Sequence, residues 1–293
     1  MKILVTGSSG LLGAQLVSLG LKDGHRVLSA YGSHQPSGGE PIRLDLAELH
    51  AIVPVIQKAA PDIIVHTASI TDVDLCEQKP QLARLINGEA TGKIAEAAVA
   101  LQAYLIYVST DYVFDGNSGM YREDDTPSPV NSYGESKLLG EKLVRKSGAR
   151  HCIARTSVVY GCGREHRPNF ATWVLGKLRS REVARVVNDQ YASPTLNLNL
   201  AEMISDLSEK RLEGILHLAG ATRIDRYNFA LTIAEVFHLD PGPIMKVSSR
   251  EIDWKARRPA DSSLDVSKTT RLLGRKPLKL HASLERFRGE QIR

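Results

Sequence analysis

No stretch of this chain approaches the roughly 20 consecutive apolar residues that a bilayer-spanning helix requires. Its apolar start, Met1-Lys2-Ile3-Leu4-Val5, runs directly into a glycine loop instead of a signal-peptide cleavage site. The expectation is a soluble, cytoplasmic protein, neither secreted nor membrane-bound. Cysteine is scarce as well: Cys76, Cys152 and Cys162 form an odd set without a CxxC or zinc-like spacing, so free thiols and no metal are expected. Charge of one sign is nearly balanced, since 38 Lys+Arg against 33 Asp+Glu leave +5, spread along the chain except for Lys255, Arg257 and Arg258. A nucleic-acid partner would call for a denser basic patch with stacking aromatics, and Phe, Trp and Tyr make up only 5%. A small anionic ligand is enough to account for the basic cluster. Internal repeats and low-complexity segments are missing too, and a hydrophobic share of 42% argues against disorder.

What is present is alternation. Short β-branched or aliphatic runs, Lys2–Thr6, Arg26–Ala30, Asp62–His66, Tyr104–Ser109 and Cys152–Arg155, read as strands. Between them, apolar residues recur at three- and four-residue spacing over Leu11–Lys22, Leu49–Ala60, Gln81–Leu101 and Tyr133–Ser147, which predicts helices. Strand and helix in turn predict an α/β fold, a doubly wound parallel sheet of the Rossmann type. After about residue 160 the alternation loosens, with helices expected at Phe170–Leu178, Leu196–Ser208 and Tyr227–His238 and a strand at Ile215–Leu218. Residues 1–160 are accordingly expected to form the Rossmann domain, with elements around 195–220 returning to it, and residues 161–293 mainly a smaller C-terminal substrate-binding lobe.

The first predicted strand ends in Gly7-Ser8-Ser9-Gly10-Leu11-Leu12-Gly13. Glycines at the first, fourth and seventh places permit a tight turn, close backbone approach to a pyrophosphate and close packing of the following helix on the sheet. Gly7, Ser9, Gly10, Leu11, Leu12 and Gly13 are therefore candidate dinucleotide contacts. An acidic residue closing the second strand would bind the ribose 2′-OH of NAD and repel the 2′-phosphate of NADP. Leu28-Ser29-Ala30-Tyr31-Gly32-Ser33-His34 carries no carboxylate. This favours NADP(H), with NAD(H) as the second option, and leaves Ser33, His34 and Arg43 as candidate phosphate contacts.

Tyr133-Gly134-Glu135-Ser136-Lys137 places a phenol and an ammonium one helical turn apart on the same face. Such a lysine favours the phenolate, making Tyr133 a usable proton donor, and would also hold the nicotinamide ribose.

The GxxGxxG spacing, together with YxxxK, resembles the extended short-chain dehydrogenase/reductase superfamily. By that resemblance Asp45 and Leu46 hold the adenine, Thr67, Ala68 and Ser69 pass the nicotinamide ribose, and Thr110 supplies the hydroxyl that polarises the substrate carbonyl. Ser109-Thr110-Asp111-Tyr112-Val113-Phe114-Asp115-Gly116, with the YGESKLLGE segment that starts at Tyr133, is most similar to the dTDP-4-dehydrorhamnose reductase family. The similarity continues through Thr71–Glu77, Asn87, Arg155-Thr156-Ser157, Asn169-Phe170, Asp189–Thr195 and Arg258–Asp265. It implies catalysis by Thr110, Tyr133 and Lys137, and substrate contacts from Thr71, Val73, Thr110, Tyr112, Asn169 and Arg258. The implied reaction is NADPH-dependent reduction of the 4-keto group of a deoxysugar nucleotide, dTDP-4-dehydro-L-rhamnose foremost. A ketoreductase for another nucleotide sugar, or an NADP-binding regulatory subunit like that of methionine adenosyltransferase, are the competing readings. Two departures stand out. Val158 occupies a place where bacterial members often carry tryptophan, which puts the sugar in doubt. Gln15 stands where some members begin a carboxylate set for a dimer-bridging metal, so a homodimer, if formed, is expected without one.

Overall fold

The computed structural model describes residues 1–163 and 168–291. Strand β1 (Lys2–Thr6) leads into α1 (Leu11–Lys22), followed by β2 (Arg26–Tyr31), β3 (Glu40–Arg43), α2 (Leu49–Ala59) and β4 (Ile63–His66). Next come α3 (Val73–Gln78), α4 (Pro80–Ala83), a π-helical segment (Arg84–Glu89) and α5 (Ala90–Leu101), then β5 (Tyr104–Thr110), α6 (Ser132–Ser147) and β6 (His151–Thr156). The remainder comprises β7 (Val159–Tyr160), α7 (Phe170–Arg179), β8 (Ala184–Val187), β9 (Tyr191–Ala192), β10 (Thr195–Leu196), α8 (Asn197–Lys210), β11 (Gly214–His217), β12 (Ile224–Asp225), α9 (Arg226–Val236), β13 (Ile244–Val247), α10 (Ser267–Leu272) and α11 (Leu280–Gln291).

Seven of these strands form one sheet in the order β11-β6-β5-β4-β1-β2-β3, with every neighbouring pair parallel. The chain therefore has the Rossmann-type α/β architecture. A parallel sheet is covered on both faces, so its strands read as continuous apolar runs whose alternate residues serve opposite cores. In β1, Ile3 and Val5 face α1 and α8 through Leu12, Leu16, Val17, Leu200 and Ile204. Leu4 points the other way, onto a cluster built with Ile52 and Ile56 of α2, Ile94 of α5 and Val144 of α6. A third cluster joins Tyr160, Val174, Leu175, Phe229, Ile233, Leu284 and Phe287, from α7, α9, α11 and β7, away from the sheet. The strand order reverses between β1 and β4, and the crevice beyond the carboxyl ends of the strands at such a point is where ligands bind.

Three local features depart from simple periodicity. The helical pattern over Gln81–Leu101 is continuous in space, but its middle six residues wind as a π-helix, a wider turn that often marks functional sites. Strand β3 is not apparent in the sequence because Glu40-Pro41-Ile42-Arg43 is short and polar and contains proline; it lies at the sheet edge, where a missing N–H is tolerated. The parallel pair of β8 and β13 likewise joins segments some sixty residues apart that carry no mutual sequence signal. Among the described residues no helix is long and apolar enough to cross a membrane.

Candidate active site

A cleft of about 1630 Å³ opens along the carboxyl ends of β1, β2, β4 and β5. Its floor is the glycine loop. Gly7 adopts φ +66, a left-handed conformation that disfavours side chains, and Gly10 N–H donates to Gly7 O at 2.9 Å. A Cβ on Gly13 would overlap that same Gly7 carbonyl oxygen, so only glycine lets α1 come this close to the loop. The loop and helix start thus form an open backbone cradle of the kind that fits a dinucleotide pyrophosphate.

Beneath the cradle lies a buried relay. Thr6 Oγ1 is 2.7 Å from His66 Nδ1 and accepts the N–H groups of Thr67 and Ala68, each at 3.2 Å. His66 Nε2 is 3.0 Å from Thr91 Oγ1, whose own proton goes to Asn87 O at 2.8 Å. Thr91 must then accept from His66, which assigns the neutral Nε2–H tautomer. Burial, assisted by the Lys137 charge, lowers the His66 pKa to about 3. Asn87, in the π-helical segment, accepts from Ile70 N–H at 2.8 Å and donates to both Ile70 O and Ser136 Oγ at 3.0 Å. It thereby ties the loop after β4 to helix α6.

That helix carries the tyrosine and lysine. Asn131 caps it through Gly134 N–H at 2.9 Å, and Gly134 has no room for a side chain against Tyr112 O. Thr110, at the end of β5, lies close enough to the Tyr133 phenol to lower its pKa, and Tyr112 packs edge-on against the Tyr133 ring at 5.8 Å. Hydroxyl, phenol and ammonium therefore meet in one cleft. The electrostatics differ from the sequence expectation, however. Burial raises the Tyr133 phenol well above its ordinary range, and the neighbouring Thr110 hydroxyl only partly offsets this. Lys137 does not set the phenol in this state: its Nζ donates to Val108 O at 2.8 Å and sits 4.4 Å over the Tyr107 ring, with its own pKa lowered by burial to about 7.

The other residues singled out from the sequence divide into two groups. Ser9, Leu11, Leu12, Ser33, His34, Asp45, Leu46, Thr67, Ala68, Ser69, Thr71, Val73 and Tyr112 all line the cleft. Ser33 Oγ lies 2.8 Å from His34 Nδ1, while an Asp45 carboxyl oxygen accepts from Ala47 N–H at 3.0 Å. Ala30, though it edges the cleft, is packed into the core, whereas Tyr31 is the half-buried last residue of β2, so a cofactor-discriminating carboxylate would belong at Tyr31. Asn169 lines the cleft as the N-cap of α7: its Oδ1 accepts Thr172 N–H at 3.2 Å and its Nδ2 donates to Gly161 O at 2.9 Å. Arg258 does not line the cleft. Its guanidinium pairs with Asp74 at 3.0 Å, donates to Ala256 O at 3.0 Å and lies 5.3 Å from the Trp254 ring.

Sequence reasoning missed other parts of the wall. Arg226 enters the cleft from the start of α9, with no local motif to announce it. Asp111 is buried behind Thr110 and accepts hydroxyl hydrogen bonds from Thr110, Ser157 and Ser262 at 3.1, 2.8 and 2.5 Å; burial nonetheless raises its pKa. Val158 holds φ +42 on the cleft wall, a conformation that costs a β-branched residue on the order of 1–2 kcal/mol. Among the described residues no three His, Cys, Asp or Glu side chains converge as a metal site.

Comparison with known proteins adds five observations. Residues 1–291 match the family described as RmlD substrate binding domain. A probable low-salt glycan biosynthesis reductase of Haloferax volcanii is 34% identical over 94% of this chain and 93% of its own. Methionine adenosyltransferase 2 subunit beta of Pongo abelii is 32% identical over 91% of this chain and 81% of its own. Among solved structures, a hypothetical dTDP-4-dehydrorhamnose reductase from Sulfolobus tokodaii has TM-score 0.86 at 38% identity, covering 96% and 98% of the two chains. The dTDP-4-dehydrorhamnose reductase of Bacillus anthracis, solved in complex with NADP, has TM-score 0.87 at 31% identity and 99% coverage of each.

Proposed function

The chain belongs to the RmlD substrate binding domain family, and from that premise we propose that it is an NADPH-dependent ketoreductase of sugar nucleotides. The substrate we assign is a deoxysugar nucleotide with a 4-keto group, dTDP-4-dehydro-L-rhamnose foremost. The observation that carries this reading is the meeting of Thr110, Tyr133 and Lys137 at the carboxyl ends of a parallel sheet, in the same cleft as the glycine loop. We further propose that the seven-stranded sheet and its helices hold the cofactor while the lobe around α7, α9 and α11 holds the substrate.

When bound, the reduced nicotinamide supplies a hydride to the carbonyl carbon. The chain supplies the proton. Tyr133 O–H transfers it to the carbonyl oxygen as negative charge develops there, so carbonyl, hydride and proton together become a hydroxyl. A phenol kept neutral by burial is in the right state to donate. The Thr110 hydroxyl, which donates to Asp111 Oδ1 at 3.1 Å, lies beside that phenol and is placed to turn toward the carbonyl oxygen. In its protonated form Lys137, with one N–H engaged at Val108 O, retains two donors for the ribose hydroxyls. The carboxylate-free loop after β2, flanked by Ser33, His34 and Arg43, favours the 2′-phosphate of NADP, with NAD(H) binding more weakly.

Incubating the protein with NADPH and a panel of 4-keto sugar nucleotides tests the proposal. Turnover should be seen in the wild type and fall by about 10²–10⁴-fold in Tyr133→Phe, with NADPH affinity little changed. Near-normal turnover in that variant would remove Tyr133 as the acid. The likeness to methionine adenosyltransferase 2 subunit beta supports a second reading, a regulatory NADP-binding subunit. That reading takes precedence if the wild type reduces none of the panel.

A further inference from the structure

We infer that Arg226, and not Arg258, is the cation that anchors the substrate's diphosphate. This inference rests on the nucleotide-sugar reading above and deepens it by naming the residue that recognises the anion.

The backbone holds Arg226 firmly in place. Residue Asp225, just before it, caps α9 by accepting Asn228 N–H at 2.9 Å, and β12 pairs Asp225 with Tyr191. Arg226 N–H itself donates to Gln190 O at 3.1 Å. From this fixed origin the side chain projects into the cleft, where its guanidinium lies 5.1 Å from the Phe170 ring and its charge acts on the Tyr112 phenol. Stacking on an aromatic ring orients the planar fork without using its donors.

Its electrostatic situation is unlike that of Lys137 and Arg179 in the same cleft, while Arg43, also without an ion pair among the described residues, is exposed at the edge strand β3. Arg226 forms no ion pair among the described residues, and the nearby Asp111 carboxylate is engaged by three hydroxyls. Lys137 is bonded to Val108 O, and Arg179 donates to Gln291 Oε1 at 3.0 Å. Arg258 is paired with Asp74, its side chain 11% exposed and outside the cleft lining. A half-buried arginine that forms no ion pair among the described residues is suited to bidentate capture of an oxyanion.

Position identifies which oxyanion. Arg226 and Tyr112 line the same cleft, with the Arg226 charge acting on the Tyr112 phenol, and Tyr112 packs against the ring of Tyr133, the proposed proton donor. On this reading, a sugar whose keto oxygen reaches Tyr133 has its far side toward Arg226 in the same cleft. On a nucleotide sugar, that far side bears the diphosphate. A carboxylate on the sugar itself is the other source of the same oxyanion chemistry.

The test is calorimetric titration of the full-length protein, saturated with NADPH, with dTDP, thymidine and free glucuronate. Arg226→Gln should raise the dTDP dissociation constant by about 10- to 100-fold, as expected for lost charge-assisted hydrogen bonds, and leave thymidine and NADPH binding unchanged. Arg226→Lys should recover part of the loss, which guards against misfolding as the explanation. Arg258→Gln should change dTDP binding by less than about threefold, and in turnover assays Arg226→Gln should raise KM far more than it lowers kcat. Equal dTDP affinity in wild type and Arg226→Gln would overturn the inference while leaving the reductase reading intact. So would Arg226-dependent binding of glucuronate but not of dTDP, which would assign the cation to a sugar carboxylate. A wild type that binds no nucleoside diphosphate would remove the nucleotide-sugar reading and this inference with it.

Discussion

Replacing Glu141 with glutamine should be among the most destabilising single-atom changes available in this protein. Glu141 and Arg155 face each other beneath the catalytic end of β5 and β6, with side chains 2% and 1% exposed. The pair is bidentate, at 2.9 and 2.8 Å, and Glu141 Oε1 also accepts Ser109 Oγ–H at 2.6 Å. Glutamine keeps the shape but removes the negative charge, leaving the Arg155 guanidinium buried with no compensating charge and an Nη1 that already lacks a partner. Breaking a buried pair from one side costs about 3–5 kcal/mol, since desolvation of the survivor is no longer offset. At about 2–4 °C per kcal/mol for a large domain, the melting temperature should drop by ~6–20 °C. A urea titration should show the midpoint falling with the slope unchanged, the sign of lost stability without altered compactness. The double variant Glu141→Met/Arg155→Met separates this account from simple packing damage: with no charge left to desolvate, it should recover much of the loss. A cost below about 1 kcal/mol for Glu141→Gln, or a double variant as unstable as the single losses summed, would refute the reasoning.

The remaining expectations concern the cofactor cleft. Lys137 has a folded pKa of about 7, below the roughly 10.4 of an unfolded lysine, so between these values the unfolded chain binds more protons and stability rises with pH. The stability of wild type relative to Lys137→Met should therefore climb from about pH 7 toward about pH 10, by at most about 1.4 kcal/mol per unit; a flat difference in urea midpoints would show that Lys137 titrates normally. Tyr31→Asp should erase or reverse a larger thermal shift with NADPH than with NADH, and equal wild-type shifts would remove the basis for NADP preference. Gly13→Ala must displace the Gly7 carbonyl, so calorimetry should find NADPH binding weakened by about 100-fold or more, the worth of two charge-assisted hydrogen bonds; unchanged affinity would mean the loop does not hold the pyrophosphate.

Much of the architecture follows from short-range signals. The glycine loop is legible because Gly7, Gly10 and Gly13 act within seven residues of one another, and the strands because a doubly covered parallel sheet demands continuous apolar runs. Tyr133 and Lys137 are legible for the same reason, since helical geometry alone puts them on one face. Strand β3 was not, because an edge strand needs neither a second buried face nor every N–H, and Pro41 reads locally as a breaker.

The sequence by itself determined the parallel sheet, the phosphate cradle and the tyrosine–lysine pair, each of which depends on residues close along the chain. Tertiary structure decided which charges are free to act. Arg258 and Arg226 look equally available in a string of letters, but Asp74, more than 180 residues before Arg258, pairs with it, while the Phe170 ring, 5.1 Å from the Arg226 guanidinium, orients Arg226 in the cleft without cancelling its charge. The same holds for Lys137, whose pKa is set by burial under β5, and for Asn169, whose amide is engaged in capping α7. A side chain's availability depends on its desolvation and on the partner that reaches it first, and both are properties of packing between distant segments.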